Sequence, residues 1–169
     1  MRSAAAFAAI LIAIAVQTTL ASYLFRGSST GIDLVLIVVV YVAIKSGPVT
    51  GLLAGSVAGL IQDALSGGIV GILGLAKTLV GFLSGLLGTQ FIVTAPLPRF
   101  VLLIVATALH EGVFIGVNTM LNLRHFPAPY PSIVGQAVGN AFVGVVAFQM
   151  IEWFPGFVDR RRAGRFLKR

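Results

Sequence analysis

Charge is scarce in this chain. Only 10% of its 169 residues are Asp, Glu, Lys or Arg, and five of those are acidic; an ordinary soluble domain carries about 25% charged residues. Cysteine is absent, which excludes thiolate catalysis, iron–sulfur clusters and disulfides and leaves the redox compartment open. There are two histidines, His110 and His125, and a mid-helix position and a loop position do not make a zinc site. What fills the chain instead is apolar: 57% of residues are hydrophobic and the mean hydropathy is +1.01. These values describe an integral membrane protein. A spanning helix needs about 20 apolar residues, so six helices joined by tight loops take up nearly the whole length.

The net charge of +7 does not imply nucleic acid, because half of the basic residues lie in the terminal "RRRAGRFLKR", a tail rather than a face. That tail reads as a positive-inside anchor leaning on anionic lipid, or as a docking segment for a cytoplasmic protein. The opening "SAAAFAAILIAIAV" has the outline of a signal peptide, but its apolar run continues to about Leu24 and further spans follow, so it is read as the first helix.

Apolar runs set against breakers predict helices over about 4–24, 32–45, 48–64, 74–94, 99–121 and 132–154. The expected organisation is a six-helix transmembrane domain over 1–158, all-α and compact, followed by a basic cytoplasmic tail over 159–169. Pro48 suits the first turn of the third helix, "APLPR" stops the fourth, and the proline-rich "NLRHFPAPYPS" is a loop. With six spans and the tail inside, Arg2, Lys45 and Arg99 collect on the tail's side and Arg26 and Arg124 opposite, as the positive-inside rule requires.

Ionisable residues at membrane depth are candidates for function. Asp33 is accounted for by the dipole at the start of the second helix. Asp63 and Lys77 are the reverse case: each stands at the end of its helix that disfavours its charge. They bracket the glycine-rich "ALSGGIVGILGLA", so they read as an ion pair or partner contact near the outer surface. A snorkelling Lys77 beside a solvated Asp63 is the plainer alternative. Glu111 falls at the middle of the fifth helix, where a carboxylate must find a partner. His110, about 100° away around the helix, is expected to face elsewhere. Glu111 and Asn118, with Gln136 and Asn140 on the sixth helix, form a candidate buried polar set or pocket. Glycines repeat at four-residue spacing at Gly51, Gly55 and Gly59, at Gly81 and Gly85, and at Gly135 and Gly139; such spacing suits close helix packing or a groove for a foreign helix.

Enzyme templates fail. A membrane aspartyl peptidase needs two carboxylates sharing a proton, and Asp63 has only Glu111 to join it. There is no GxSxG elbow. No catalytic residue, cofactor or metal is expected.

The order of features over residues 33–88, "DLVLIVVVYVAIKSGP", then "GLIQDALSG", then "GILGLAKTLVGFLSG", resembles the MreD family of rod shape-determining proteins. The resemblance implies a non-enzymatic, multi-pass subunit of the bacterial cytoplasmic membrane with both termini inside. It also implies direct binding of MreC and membership, with MreB, RodA and penicillin-binding protein 2, of the complex that directs lateral peptidoglycan synthesis. The helix arrangement it implies is like that of the substrate-binding subunits of energy-coupling-factor transporters. A small-ligand-binding transporter subunit is the alternative reading, with Glu111, Asn118, Gln136 and Asn140 lining its pocket.

Overall fold

The computed structural model describes the backbone of residues 2–24, 31–67, 69–90, 95–122 and 130–166 and the side chains of 6–19, 31–67, 69–90, 95–122 and 133–153. Arg26, Arg124 and His125 lie outside the described residues, as do the side chains of Arg2 and of the basic C-terminal segment. Six helices follow in order: α1 Arg2–Leu24, α2 Leu34–Ser46, α3 Pro48–Ser66, α4 Ile72–Gln90, α5 Pro96–Met120 and α6 Tyr130–Phe166. The all-helical form follows from hydropathy, since inside a bilayer every backbone N–H and C=O must be satisfied within its own segment. Three of these helices, α3, α4 and α5, and residues Ile133–Trp153 of α6 are long and apolar enough to cross a membrane.

Helix α2 is the axis of the bundle. Its 13 residues rise about 20 Å, short of the ~30 Å hydrocarbon core, and it touches every other helix. Val, Ile and Leu surround it on all sides, the pattern of a helix that is buried rather than amphipathic. One side, through Leu36, Ile37 and Val40, packs with Val80, Leu103, Ala106, Ala141 and Phe148. The other, through Val35, Val39 and Val42, packs with Ile10, Ala13 and Ile14 of α1 and Ala54 and Ala58 of α3.

A single residue joins α2 to α3. Gly47 has φ of 90°, a left-handed value that only glycine adopts cheaply. Its N–H closes α2 on Ala43 O at 2.9 Å, and Pro48 then opens α3 in the first-turn position where a missing N–H costs nothing. Antiparallel to α3, α4 lies at backbone contact. A Cβ on Gly51 would collide with the Gly81 carbonyl, one on Gly55 with the Lys77 carbonyl, and one on Gly59 would stand 2.5 Å from Gly74 Cα. Gly85 meets Pro48 Cα at the same 2.5 Å. Ser56 and Thr78 bridge the seam with a 2.7 Å hydrogen bond. The groove considered for a foreign helix on α3 and α4 is therefore filled by these two helices themselves, because removing side chains from both lets the backbones meet.

Two boundaries differ from expectation. Pro96 and Pro98 do not delay α5 but stand in its first turn, which tolerates proline. Helix α6 does not end before the basic segment but continues to Phe166, since Arg and Ala are strong helix formers. In detergent, Gly55→Ala is expected to lower the unfolding temperature, because overpacking a closed contact costs about 1–3 kcal/mol. Gly135→Ala, where no described atom lies within 4 Å of the added Cβ, is expected to leave it unchanged or raised. A thermal melt of the two variants beside the parent checks this.

Candidate functional site

Asp63 is 3% exposed and stands in the last turns of α3, the end of its own helix that repels an anion. Its carboxylate instead serves the next helix. Oδ2 accepts from Gly71 N at 2.8 Å and Gly74 N at 3.1 Å, and Oδ1 from Leu73 N at 3.2 Å. These are orphan donors at the start of α4. Gly71, with φ of 116°, turns the chain there but has no side chain to cap with. The aspartate thus sits at the favourable end of α4's dipole.

Lys77 is fully buried and has a different partner. Its Nζ donates to Asp33 Oδ2 and contacts His110 Nε2 at 3.1 Å. Asp63 and Lys77 therefore do not form the expected ion pair, and with Lys77 enclosed there is no snorkelling either. Helix lengths explain the choice. Measured from the shared Gly47 turn, α3 rises about 28 Å and α2 about 20 Å, so the head of α2 lies roughly 8 Å below the end of α3, level with the second turn of α4. Asp33 still caps α2, accepting from Leu36 N at 2.9 Å, so the dipole role expected of it stands beside the ion pair.

Other helices complete the head of α2. Asn140 Oδ1 on α6 accepts from Asp33 N at 2.8 Å, and Gln17 Oε1 on α1 accepts from Val35 N at 3.1 Å. Asn140 Nδ2 donates to Thr107 Oγ1 at 3.2 Å. An ammonium can only donate, so His110 Nε2 accepts and the ring proton is on Nδ1, directed at Glu111 Oε1 at 3.4 Å. Gln136 Nε2 donates to the same oxygen at 3.1 Å. His110 and Glu111 were expected to diverge, yet they meet, because Lys77 fixes one edge of the ring and leaves the other facing back along α5. Asn118 stays out of this set and donates to Phe114 O on its own helix at 2.7 Å.

A second cluster closes the opposite end. Glu152 on α6 accepts from Lys45 at 2.8 Å and, bidentately, from Arg99 at 2.9 Å. Arg99 is 5% exposed and lies over the Phe148 ring, 5.8 Å from its centroid. Lys45 and Arg99 thus share one end, as the charge distribution required. Glu152 went unnoticed in the sequence, although an acid opposite two cations expected on one side is the signal that could have found it.

Among the described residues no group of three or more His, Asp or Glu could hold a metal; the buried Asp33 and Asp63 carboxylates are engaged by a cation or by N–H donors, while Gln62 Oε1 on α3 is buried without a partner. Residues 1–154 match the family described as rod shape-determining protein MreD. The chain belongs to the MreD family. Membership assigns it a role in rod shape determination, in a family of shape-determining structural proteins, and its long apolar helices agree with a membrane protein of that family. Neither a curated protein nor a solved structure matches the chain, so the likeness to transporter substrate-binding subunits rests on the resemblance alone.

Within this MreD-family bundle, Lys77→Met leaves the Asp33 carboxylate buried without a cation, and breaking a buried pair in this way costs about 3–5 kcal/mol. Asn at position 33 keeps a capping oxygen and drops the charge. The double variant Asp33→Asn/Lys77→Met is therefore expected to unfold at a higher temperature in detergent than Lys77→Met alone; an equal or larger loss would show that the charges are uncoupled.

Proposed function

We propose that this protein is a non-enzymatic subunit of the bacterial cell-elongation complex that binds MreC in the cytoplasmic membrane and thereby supports lateral peptidoglycan synthesis. The family match over residues 1–154 carries this reading. The bundle's chemistry agrees with a positional role: its buried polar groups fix helices to one another, and the glycine seam makes α3 and α4 one rigid body. MreB, RodA and penicillin-binding protein 2 are the wider partners.

Orientation follows from the end marked by Lys45 and Arg99, which the positive-inside rule directs to the cytoplasm. With six passes, both termini lie on that side, and the basic segment at the end of α6 leans on anionic lipid. Asp63 and Lys77 support a partner only indirectly, by setting α4, since both are buried.

The test is co-purification of MreC with the tagged full-length protein from membranes, together with depletion in a rod-shaped host. MreC in the eluate and rounding of depleted cells are expected. An eluate without MreC, from cells that remain rods after depletion, would overturn the proposal.

A further inference from the structure

Glu111 is the intramembrane carboxylate that the bundle serves on one side only. It lies 12 residues beyond Arg99 on α5, about 18 Å from that charged end, well inside a hydrocarbon layer of about 30 Å. Both of its hydrogen bonds, from His110 and Gln136, go to Oε1. No described donor meets Oε2, and the side chain keeps 16% of its surface exposed. Acyl chains offer no donor, and a polar group left unserved in an apolar medium costs several kcal/mol.

Beside this oxygen the surface is bare. Gly112 follows Glu111 on α5 and Gly135 precedes Gln136 on α6; both are exposed, and no described atom lies within 4 Å of a Cβ built on either. Here the glycines differ from those of the α3–α4 seam, which are closed by backbone. Behind the carboxylate, Lys77 and His110 hold it in place from the core.

We propose that the open Glu111 oxygen, at the exposed face between α5 and α6, receives a hydrogen-bond donor from a membrane-spanning helix of MreC. The inference rests on the MreC reading above and gives it a docking face. Charge complementarity selects the occupant: the partner helix presents a hydroxyl, amide or cationic side chain at this depth, and Gly112 and Gly135 let its backbone approach. A second copy of this chain fits less well. Its outward side chains near that level include Val16, Leu60, Leu75 and Val138, all apolar, and the exposed Thr19 hydroxyl donates to Ala15 O on its own helix.

The experiment co-expresses the tagged full-length protein with full-length MreC and quantifies MreC recovered from solubilised membranes, with the unfolding temperature of each variant measured alongside. Glu111→Leu and Gly112→Leu are expected to lower recovery about tenfold, the scale of one interhelical hydrogen bond, and Glu111→Gln, whose single carbonyl oxygen stays with the His110 and Gln136 donors and whose NH2 replaces the open acceptor, to lower it as well. Gly112→Leu is expected to keep the parent's unfolding temperature, because its side chain enters open space, and it decides the matter if Glu111→Leu folds poorly. Parent-level recovery with both leucine variants overturns this inference alone. A change in self-association in place of MreC recovery also overturns it, naming the second copy as occupant. If the unaltered protein recovers no MreC, the MreC reading itself falls.

Discussion

Lys77 and Asp33 meet where α2, α4 and α5 converge, the lysine fully enclosed and the aspartate buried, and the rest of the bundle is arranged so that their charges are tolerable there. Removing two ions from water is costly enough that attraction alone does not compensate, and additional hydrogen bonds have to satisfy what remains. Asp33 receives them from Lys77 and from its own helix, while Asn140 takes the Asp33 N–H and Gln17 takes the Val35 N–H. One short helix, α2, is thereby tied at its head to α1, α4 and α6 by polar contacts that hold only in one register. At its other end, Lys45 and Glu152 tie it to α6 and, through Arg99, to α5.

Apolar packing could not supply that definition by itself. Within lipid, burying Val or Leu against another helix gains little over burying it against acyl chains, so association depends on close backbone approach and on polar contacts. The α3–α4 seam supplies the first. Asp63 makes the seam possible by capping α4 from α3, so the glycine-rich connection between them needs no capping side chain of its own. A pair of helices locked at backbone contact agrees with the positional role proposed above.

Much of this was visible in the sequence. Hydropathy located all six helices to within a few residues over most boundaries, because apolar runs bounded by Pro, Gly and charge are unambiguous at membrane length. The dipole argument placed Asp33 at the head of α2, and the four-residue glycine spacing marked the residues of the seam. Pairing between distant elements was not visible. Asp63 and Lys77 are close in sequence and each is at the wrong end of its helix, yet the first caps a backbone eleven residues on and the second turns inward to a residue 44 positions away. Only relative helix depth, fixed by the shortness of α2, brings Asp33 and Lys77 to one level. Likewise, His110 and Glu111 leave α5 about 100° apart, but long side chains fixed by third parties can still meet.

The burial of Lys77 is the claim on which this account turns, and amine-selective acetylation of the folded protein in detergent, read by peptide mass spectrometry, tests it directly. Lys45, whose side chain is 48% exposed, is expected to be modified while Lys77 stays unmodified until the protein is unfolded. Modification of Lys77 in the folded state at the rate of Lys45 would place its ammonium at the surface and contradict the buried pair with Asp33.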